Sequence, residues 1–242
     1  MLLGGRATVL MQLAHPLIAA GVAHHSDYRS DPYSRLRRTL DTMYTIVFES
    51  ADDAREAAEK VTFIHSHVEG VSEDGRSYSA LDPHLQLWVH ATLVEGSVKV
   101  YERFVAPLGR KDLARYYEET KVVGELFGIP RASLPETYPD LKRWMRDLID
   151  SGEVRVTDLA RQLAEPIVRP LRIVPRSISS RSALITPVLL PPPIRAGYGL
   201  RLSTPKAALI AVGTRASRLV TPRLPGGLRV HPTARSAERR SA

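Results

Sequence analysis

The chain has 242 residues, of which 43% are hydrophobic and 25% charged, a composition typical of a globular protein rather than a disordered one. Its formal net charge is +8, and it contains no cysteine. The absence of cysteine excludes a disulfide scaffold, thiolate metal sites, iron–sulfur clusters, a cysteine nucleophile and covalent c-type haem attachment. Any metal ion must therefore be held by His, carboxylate or Tyr side chains.

An uncharged segment lies near the start of the chain, at residues 7–23 (ATVLMQLAHPLIAAGVA). Its length reaches the lower limit for a membrane span, and the preceding Arg6 also suits a signal peptide. Gln12 and His15 interrupt its apolar character, however, and Pro16 would kink or restart a helix. We expect a buried core helix, with membrane contact and a cleaved signal as the alternatives. The chain starts directly before this apolar segment. We interpret this as a start assigned too late, or as the loss of residues upstream.

The residues that follow carry helical signals up to about residue 165. Apolar residues recur at helical spacing, and Asp-Pro pairs at 31–32 and 82–83 are typical of helix starts. Tyr116 and Tyr117, next to two glutamates, are interpreted as part of an amphipathic surface helix. We find no strand alternation, repeat or βαβ rhythm, so the predicted fold class is all-α, a multi-helix globular bundle. The predicted helices are 35–48, 51–68, 82–104, 111–127, 138–150 and 153–165, with loops at 24–34 and 70–79.

Charge and proline content divide the chain near residue 165. Residues 166–242 hold 14 of the 34 basic residues, one of the 26 acidic residues and 11 of the 18 prolines. Their formal charge is therefore +13, against −5 for the preceding 20 basic and 25 acidic residues. Periodicity fades here, although a short helix is predicted at 205–220, and apolar runs such as ALITPVLLPPPI indicate packing on the acidic core. We predict a helical core at 1–165, a basic Pro/Arg-rich, partly irregular segment packed on it at 166–228, and a disordered tail at 229–242.

The sequence lacks the motifs of several enzyme classes. It has no G-x-G-x-x-G, P-loop, G-x-S-x-G or H-E-x-x-H pattern, and no histidine has a Glu three residues before it, as di-iron helical bundles require. Arg35, Arg38 and Thr39 stand at i, i+3 and i+4 and share one helix face. Such a face could receive an anion, a carboxylate or a bound oxygen species, and a solvated basic turn is the alternative.

The histidines are the remaining candidates for metal ligands. His65 and His67 point about 200° apart on a helix and cannot both bind one metal ion there. His65 follows Phe63 and Ile64 and is the core-facing candidate, either as a ligand or as a hydrogen-bonded core histidine. His90 has the same two interpretations, and His15 could line a pocket. The other four histidines are predicted to lie in loops.

Six blocks of the sequence share the pattern of one family. The blocks are GGRATVLMQLAHPLIAAGVAHHSDYRSDPYSRLRRTL, IHSHVEG, YSALDPHLQLWVHATL, LPETYPDL, LLPPPIRAGYGL and PRLPGGLRVHP. With these blocks the chain resembles the helical oxygenases that include rubber oxygenase (latex clearing protein) and the fungal MpaB-type oxygenases. The resemblance covers almost the whole chain and implies a globin-like or otherwise all-helical domain that holds a non-covalent haem b.

The resemblance also implies roles for particular residues. Arg35, Arg38 and Thr39 match a distal Arg-x-x-Lys-Thr cluster in which arginine replaces lysine at position 38. A neutral lysine can coordinate iron, whereas arginine stays protonated and only donates hydrogen bonds. His65 corresponds to the axial metal ligand, and His67 and His90 remain alternatives. His15 and His90 are further candidates for cofactor binding, and no equivalent of the family's catalytic carboxylate is identified.

Two functions of different classes follow from these observations. The first is a haem b-dependent oxygenase that acts with dioxygen on an apolar substrate such as an isoprenoid or a lipid. The second is a non-catalytic helical module that docks on a membrane or a partner through its basic C-terminal segment. Nucleic acid is not expected as a partner, because Tyr198 is the only aromatic residue of the Phe, Trp and Tyr types after residue 165. The expected location is the cytoplasm, with peripheral membrane contact as the alternative.

Overall fold

The computed structural model describes residues 4–26, 32–168, 184–225, 227, 230 and 232–241, without the side chains of residues 32–37 and 241. Within these residues the protein is all-α apart from one small sheet, which confirms the predicted fold class. Residues 184–189 are also helical. The helices are α1 (Gly5–Leu13), α2 (Pro16–His25), α3 (Pro32–Phe48), α4 (Ala51–His65), α5 (Pro83–Phe104), α6 (Arg110–Leu126), α7 (Tyr138–Asp150), α8 (Asp158–Val168), α9 (Pro192–Gly197), α10 (Thr204–Val220) and α11 (Pro232–Ser241), and the strands are β1 (Glu69–Val71) and β2 (Ser77–Ser79).

The uncharged segment near the start of the chain forms two buried helices rather than one. Pro16 occupies the first turn of α2, where its missing N–H costs no hydrogen bond, and α1 and α2 meet at an angle of 102°. Leu10 and Ala19, one from each helix, are completely buried. Among the described residues, no single helix is long and apolar enough to cross a membrane. Only when the bent pair of α1 and α2 is taken together do the length and apolar composition of these residues reach those of a span.

Helix α5 is the centre of the core. The Asp82 side chain accepts a hydrogen bond from the backbone N–H of His84 and so caps the helix, and Pro83 fills its first position. Trp88 is completely buried and donates its indole N–H to the carbonyl of Met11 in α1, at 3.1 Å. This bond satisfies the one polar atom of the ring and fixes α5 on α1.

Helices α6 and α7 pack on α5 and correct one interpretation of the sequence. Tyr117, assigned to a surface helix, is only 1% exposed, and its hydroxyl donates to the carbonyl of Pro135 at 2.7 Å. Its ring meets the ring of Tyr138 edge to face at the start of α7. Thr137 and Asp140 form a capping box that fixes this start, which the sequence predicts at residue 138.

A hairpin replaces the loop that the sequence predicts at 70–79. Strands β1 and β2 are antiparallel, with Gly70 opposite Tyr78, and Gly75 adopts a positive φ of 80° in the turn. Tyr78 is 5% exposed and packs on Ala20 and Leu85, because the hairpin lies against α2. Strands of three residues are too short for the alternation of side chains that identifies a strand in sequence.

Helices α3 and α4 form a hairpin of their own, joined by Glu49 and Ser50. The Ser50 side chain caps α4 by accepting a hydrogen bond from the backbone N–H of Asp53. The described residues 232–241, which the sequence places in a disordered tail, are helical as α11 and pack on α3, with Arg240 2.9 Å from the carboxylate of Glu49.

The described part of the basic C-terminal segment lies against the core. Leu189, Leu190 and Ile194 belong to the main hydrophobic cluster, and the Tyr198 hydroxyl donates to the carbonyl of Leu10 at 2.8 Å. Further along, the Ser217 hydroxyl of α10 donates to the carbonyl at the end of α5. These contacts are those expected of a packed segment, and the three-part division of the chain stays a prediction.

Candidate functional site

Two histidines and one glutamate converge where three helix ends meet. His15 lies at the joint between α1 and α2, His84 in the first turn of α5, and Glu153 just after α7. His84 Nε2 donates a hydrogen bond to Glu153 Oε1 at 2.6 Å, and His15 Nε2 is 3.6 Å from the same oxygen. One ligand atom of each residue lies within 4.8 Å of those of the other two. We refer to these three residues as the His–His–Glu cluster.

Local chain geometry places each member of the cluster. His15 has an extended backbone (φ −80°, ψ 118°) because Pro16 restarts the helix immediately after it. The Asp82 cap fixes the start of α5 two residues before His84. Gly152 adopts a positive φ of 78°, which turns the chain after α7 and directs it back toward the other two ends. The cluster is therefore built on helix termini, which are held by caps and by the core.

The members of the cluster differ strongly in burial. The side chain of His15 is 1% exposed, whereas those of His84 and Glu153 are 44% and 38% exposed. Burial lowers the pKa of His15 to about 4, although the attraction of Glu153 opposes this shift. His15 is therefore a neutral imidazole at physiological pH, and neither of its ring nitrogens has a hydrogen-bond partner among the described residues.

One aromatic ring packs directly against the partly exposed His84 of the cluster. The ring of Trp144 meets that of His84 edge to face, with 5.6 Å between the ring centroids, and Trp144 in turn packs against Trp88. His84 thus contacts both an aromatic ring and the carboxylate of Glu153, although its side chain is partly exposed. Two imidazoles and a carboxylate in this arrangement are ligand types that divalent transition metals prefer.

His90 occupies a different place in the core. It lies in α5 six residues after His84, and an ideal Cβ at Gly124 in α6 would be 3.6 Å from its Nε2. The residue is 6% exposed, and this nitrogen has no hydrogen-bond partner among the described residues. Burial lowers the pKa of His90 to about 4. Because Gly124 has no side chain, α6 leaves room for the imidazole ring of His90. His90 is therefore a neutral histidine that is tightly packed against α6.

The α3–α4 hairpin carries the remaining candidates from the sequence. Arg38 and Thr39 are exposed on α3, and the side chain of Arg35 lies outside the described residues. His65, at the end of α4, is half-buried. His65 lies 14 residues after the start of α4, which is about 21 Å along the helix. The same distance measured back from the end of α3 reaches residues 34–35, because the two helices are joined by a short connection and run in opposite directions. The hairpin therefore brings His65 to the height of the arginine-bearing turn.

The environment of His65 differs from the one that the sequence predicts. Phe63 and Ile64 are 70% and 62% exposed, so the apolar triplet ending in His65 does not face the core. His67 lies beyond the helix, is exposed, and its Nδ1 is 2.9 Å from the carbonyl of Phe63. His65 itself is half-buried and lies on the face of α4 that carries the buried Ala54 and Ala58, so it faces α3, on which α4 mainly packs.

The structure thus separates the sequence candidates. His15, His65 and His90 occupy three different places, and of these three only His15 has a second histidine and a carboxylate beside it within the part of the chain that the structure describes. Sequence reasoning missed His84 and Glu153, which are 69 residues apart from each other. His84 was assigned to a loop and Glu153 was not considered, because no local pattern connects residues so distant along the chain.

Comparisons with known proteins place the chain in a family. No solved structure matches it. Two uncharacterized proteins, Mb2261 of Mycobacterium bovis and Rv2237 of Mycobacterium tuberculosis, are each 29% identical over 152 residues, which is 61% of this chain and 60% of each relative. The match therefore spans less than two thirds of these relatives. Residues 1–221 match the family described as ER-bound oxygenase mpaB/B′/Rubber oxygenase, catalytic domain. The chain belongs to this family of oxygenase catalytic domains.

Proposed function

We propose that the protein is a haem b-dependent oxygenase in which His65 is the axial ligand. The position of His65 carries the proposal: it ends a helix hairpin whose other helix presents Arg38 and Thr39, in a chain that belongs to an oxygenase family. A haem iron supplies the activation of dioxygen when it is bound. The substrate class that we propose is an apolar molecule with carbon–carbon double bonds, such as an isoprenoid or lipid.

The residues around His65 suit a haem in their chemistry. A haem b needs an imidazole ligand and apolar side chains against its ring. Ile64, the residue next to His65, offers such a side chain and is 62% exposed, whereas Phe63 lies about 200° from His65 around the helix and packs against the ring of His67. Covering Ile64 would contribute roughly 1–2 kcal/mol to binding, at about 1.5–3 kcal/mol for a fully buried side chain. The donor set and the uncovered apolar surface at this end of α4 are therefore compatible with the group.

The α3 face supplies hydrogen-bond donors rather than a second ligand. The guanidinium of Arg38 offers N–H groups and no acceptor atom, and Thr39 offers a hydroxyl one position along the helix. Both are exposed, and together they favour negative charge that develops on oxygen during the reaction. Because an arginine does not coordinate iron, Arg38 would supply no second ligand from that face.

Haem titration tests the proposal. Purified protein without a histidine tag should bind one equivalent of haemin and develop a Soret band. His65→Ala should abolish stoichiometric binding, whereas the matched control His67→Ala, two residues along the chain and exposed, should retain it. The haem proposal fails if the parent protein takes up no haemin. Retention of haem by His65→Ala with loss in His90→Ala would reassign the axial ligand.

A second candidate function rests on the outer face of α10. Leu209, Val212 and Leu219 are each more than 60% exposed and form a stripe roughly opposite Ile210, which is buried. Arg215 borders this stripe, and the sequence has no acidic residue between 166 and 237. An exposed apolar stripe with cationic borders is typical of helices that lie on anionic membranes. We propose that α10 docks on such a surface.

Vesicle co-sedimentation tests the docking proposal independently of haem. The protein should sediment with vesicles that contain phosphatidylserine and not with neutral vesicles. The double variant Leu209→Ser/Val212→Ser should lose this binding, while a substitution on the distant α4, Lys60→Ala, should not. Equal binding by the double variant and the parent would refute a role for the stripe.

A further inference from the structure

The His–His–Glu cluster lies apart from the hairpin that carries His65 and is used by neither proposed function. We propose that His15, His84 and Glu153 bind one divalent transition-metal ion, with His15 Nε2, His84 Nε2 and a Glu153 carboxylate oxygen as ligands. Both imidazoles and the carboxylate are preferred ligands of Zn²⁺, and two histidines with one carboxylate are also the ligand set of Fe²⁺ in non-haem oxygenases.

Two of the three distances between ligand atoms are close to those around such an ion, and the third, between the two imidazoles, is within 4.8 Å. Ligand atoms bound tetrahedrally at about 2.0–2.1 Å are about 3.3 Å from one another. The distance from His15 Nε2 to Glu153 Oε1 is 3.6 Å, and the distance from His84 Nε2 to the same oxygen is 2.6 Å, that of a direct hydrogen bond. A metal ion would replace this hydrogen bond, and the distance between the two atoms would increase by about 0.7 Å, to about 3.3 Å. Both side chains are partly exposed and can make this movement.

The state of His15 is the independent observation that points to a ligand. An imidazole that is 99% buried normally has hydrogen-bond partners, since an unsatisfied buried nitrogen is costly. Neither nitrogen of His15 has a hydrogen-bond partner among the described residues, and the nearest carboxylate oxygen, Glu153 Oε1, lies 3.6 Å from Nε2, on the side of the cluster. An ion pair between His84 and Glu153 would account for those two residues alone. A metal ion accounts for all three.

The cluster is buried on one side only, so the ion would have an open coordination position on the other side. His15 closes the inner side, whereas His84 and Glu153 border solvent. Three protein ligands with a fourth position open are characteristic of catalytic metal sites, where water or substrate completes the coordination. The ion would also connect the α1–α2 joint to the ends of α5 and α7, so that binding stabilises the contacts among these helices.

Metal binding is measured on haem-free protein, so that failure here and failure of the haem proposal are distinguishable. Tag-free, chelator-treated protein is titrated with ZnCl₂, and with Fe²⁺ under anaerobic conditions, by calorimetry. We expect one ion per chain. At a free Zn²⁺ concentration of about 100 times Kd, the melting temperature should rise by about 5–10 °C.

Two exposed positions provide variants that should fold. His84→Ala and Glu153→Gln each remove one ligand and should weaken Zn²⁺ binding at least tenfold and abolish most of the thermal shift. His67→Ala, which removes an exposed histidine outside the cluster, is the matched control and should bind Zn²⁺ as the parent does. The proposal is refuted if the parent binds no ion, or if both cluster variants keep the parent's affinity. Tight Fe²⁺ binding with weak Zn²⁺ binding would support the cluster and identify it as an iron site.

Discussion

Removal of His90 should make the protein markedly less sensitive to acid. Burial lowers the pKa of this imidazole to about 4 in the folded protein, against about 6.5 in an unfolded chain. Below pH 6.5 the unfolded chain therefore binds a proton that the folded protein rejects, and the free energy of unfolding falls until the pH reaches about 4. The full difference is about 3 kcal/mol, of which about 2 kcal/mol is lost between pH 7.5 and pH 5.

The variant His90→Leu removes the titrating group and keeps an apolar side chain against Gly124. Urea unfolding at pH 7.5 and pH 5 should show that the parent loses about 2 kcal/mol more than the variant does between the two pH values. Comparison with the parent cancels the contributions of carboxylates and of His15. Val94→Ala, a buried and uncharged position on the same helix, is the control and should lower stability equally at both pH values. If His90→Leu loses as much free energy as the parent, the folded protein already protonates or solvates this ring and the reasoning is wrong.

Three further predictions test the packing of the helices. Gly96→Ala should lower the free energy of unfolding by about 1–3 kcal/mol, because its Cβ would lie 2.5 Å from the Thr8 hydroxyl oxygen, and Thr8→Ala should restore part of this loss in a double-mutant cycle. Gly197→Ala would place its Cβ 2.7 Å from Cβ and 2.8 Å from Cγ2 of Val156, so it should destabilise α9 on the core and raise proteolysis of residues 184–200, with partial rescue by Val156→Gly, which removes both atoms; an unchanged digestion pattern would contradict the packing of this segment. Tyr117→Phe should cost about 1 kcal/mol in chemical denaturation, since it leaves a buried carbonyl without its donor, and an unaltered denaturation midpoint would refute this role.

The helices themselves could be predicted closely from the sequence. The predicted bounds of the helix at 138–150 agree with α7, and Asp82-Pro83 marks the start of α5. Both cases have a local cause, because capping side chains and proline act within one turn of the helix. The hairpin at β1 and β2 lacks such a cause. Its short strands are stabilised by packing of Tyr78 on α2 and α5, which no window of the sequence contains.

The surroundings of individual side chains were predicted less well. In the apolar triplet that ends in His65, Phe63 and Ile64 are exposed and His65 is half-buried on the face that packs on α3. The sequence places Tyr117 in an amphipathic surface helix, yet its side chain is buried where α6 meets the start of α7. Periodicity identifies which residues share a face of a helix, and it does not identify which other helix covers that face.

The sequence by itself determined the all-α class, the helix starts, the unequal distribution of charge and the family resemblance, because each depends on composition or on residues a few positions apart. Only the tertiary structure decided which polar residues meet. His84 is 69 residues from His15 and equally far from Glu153, and they come together because the turns after α1 and α7 and the start of α5 lie at one end of the core. Packing of the helices fixes that proximity, and it is the packing that creates the cluster from residues with no common local signal.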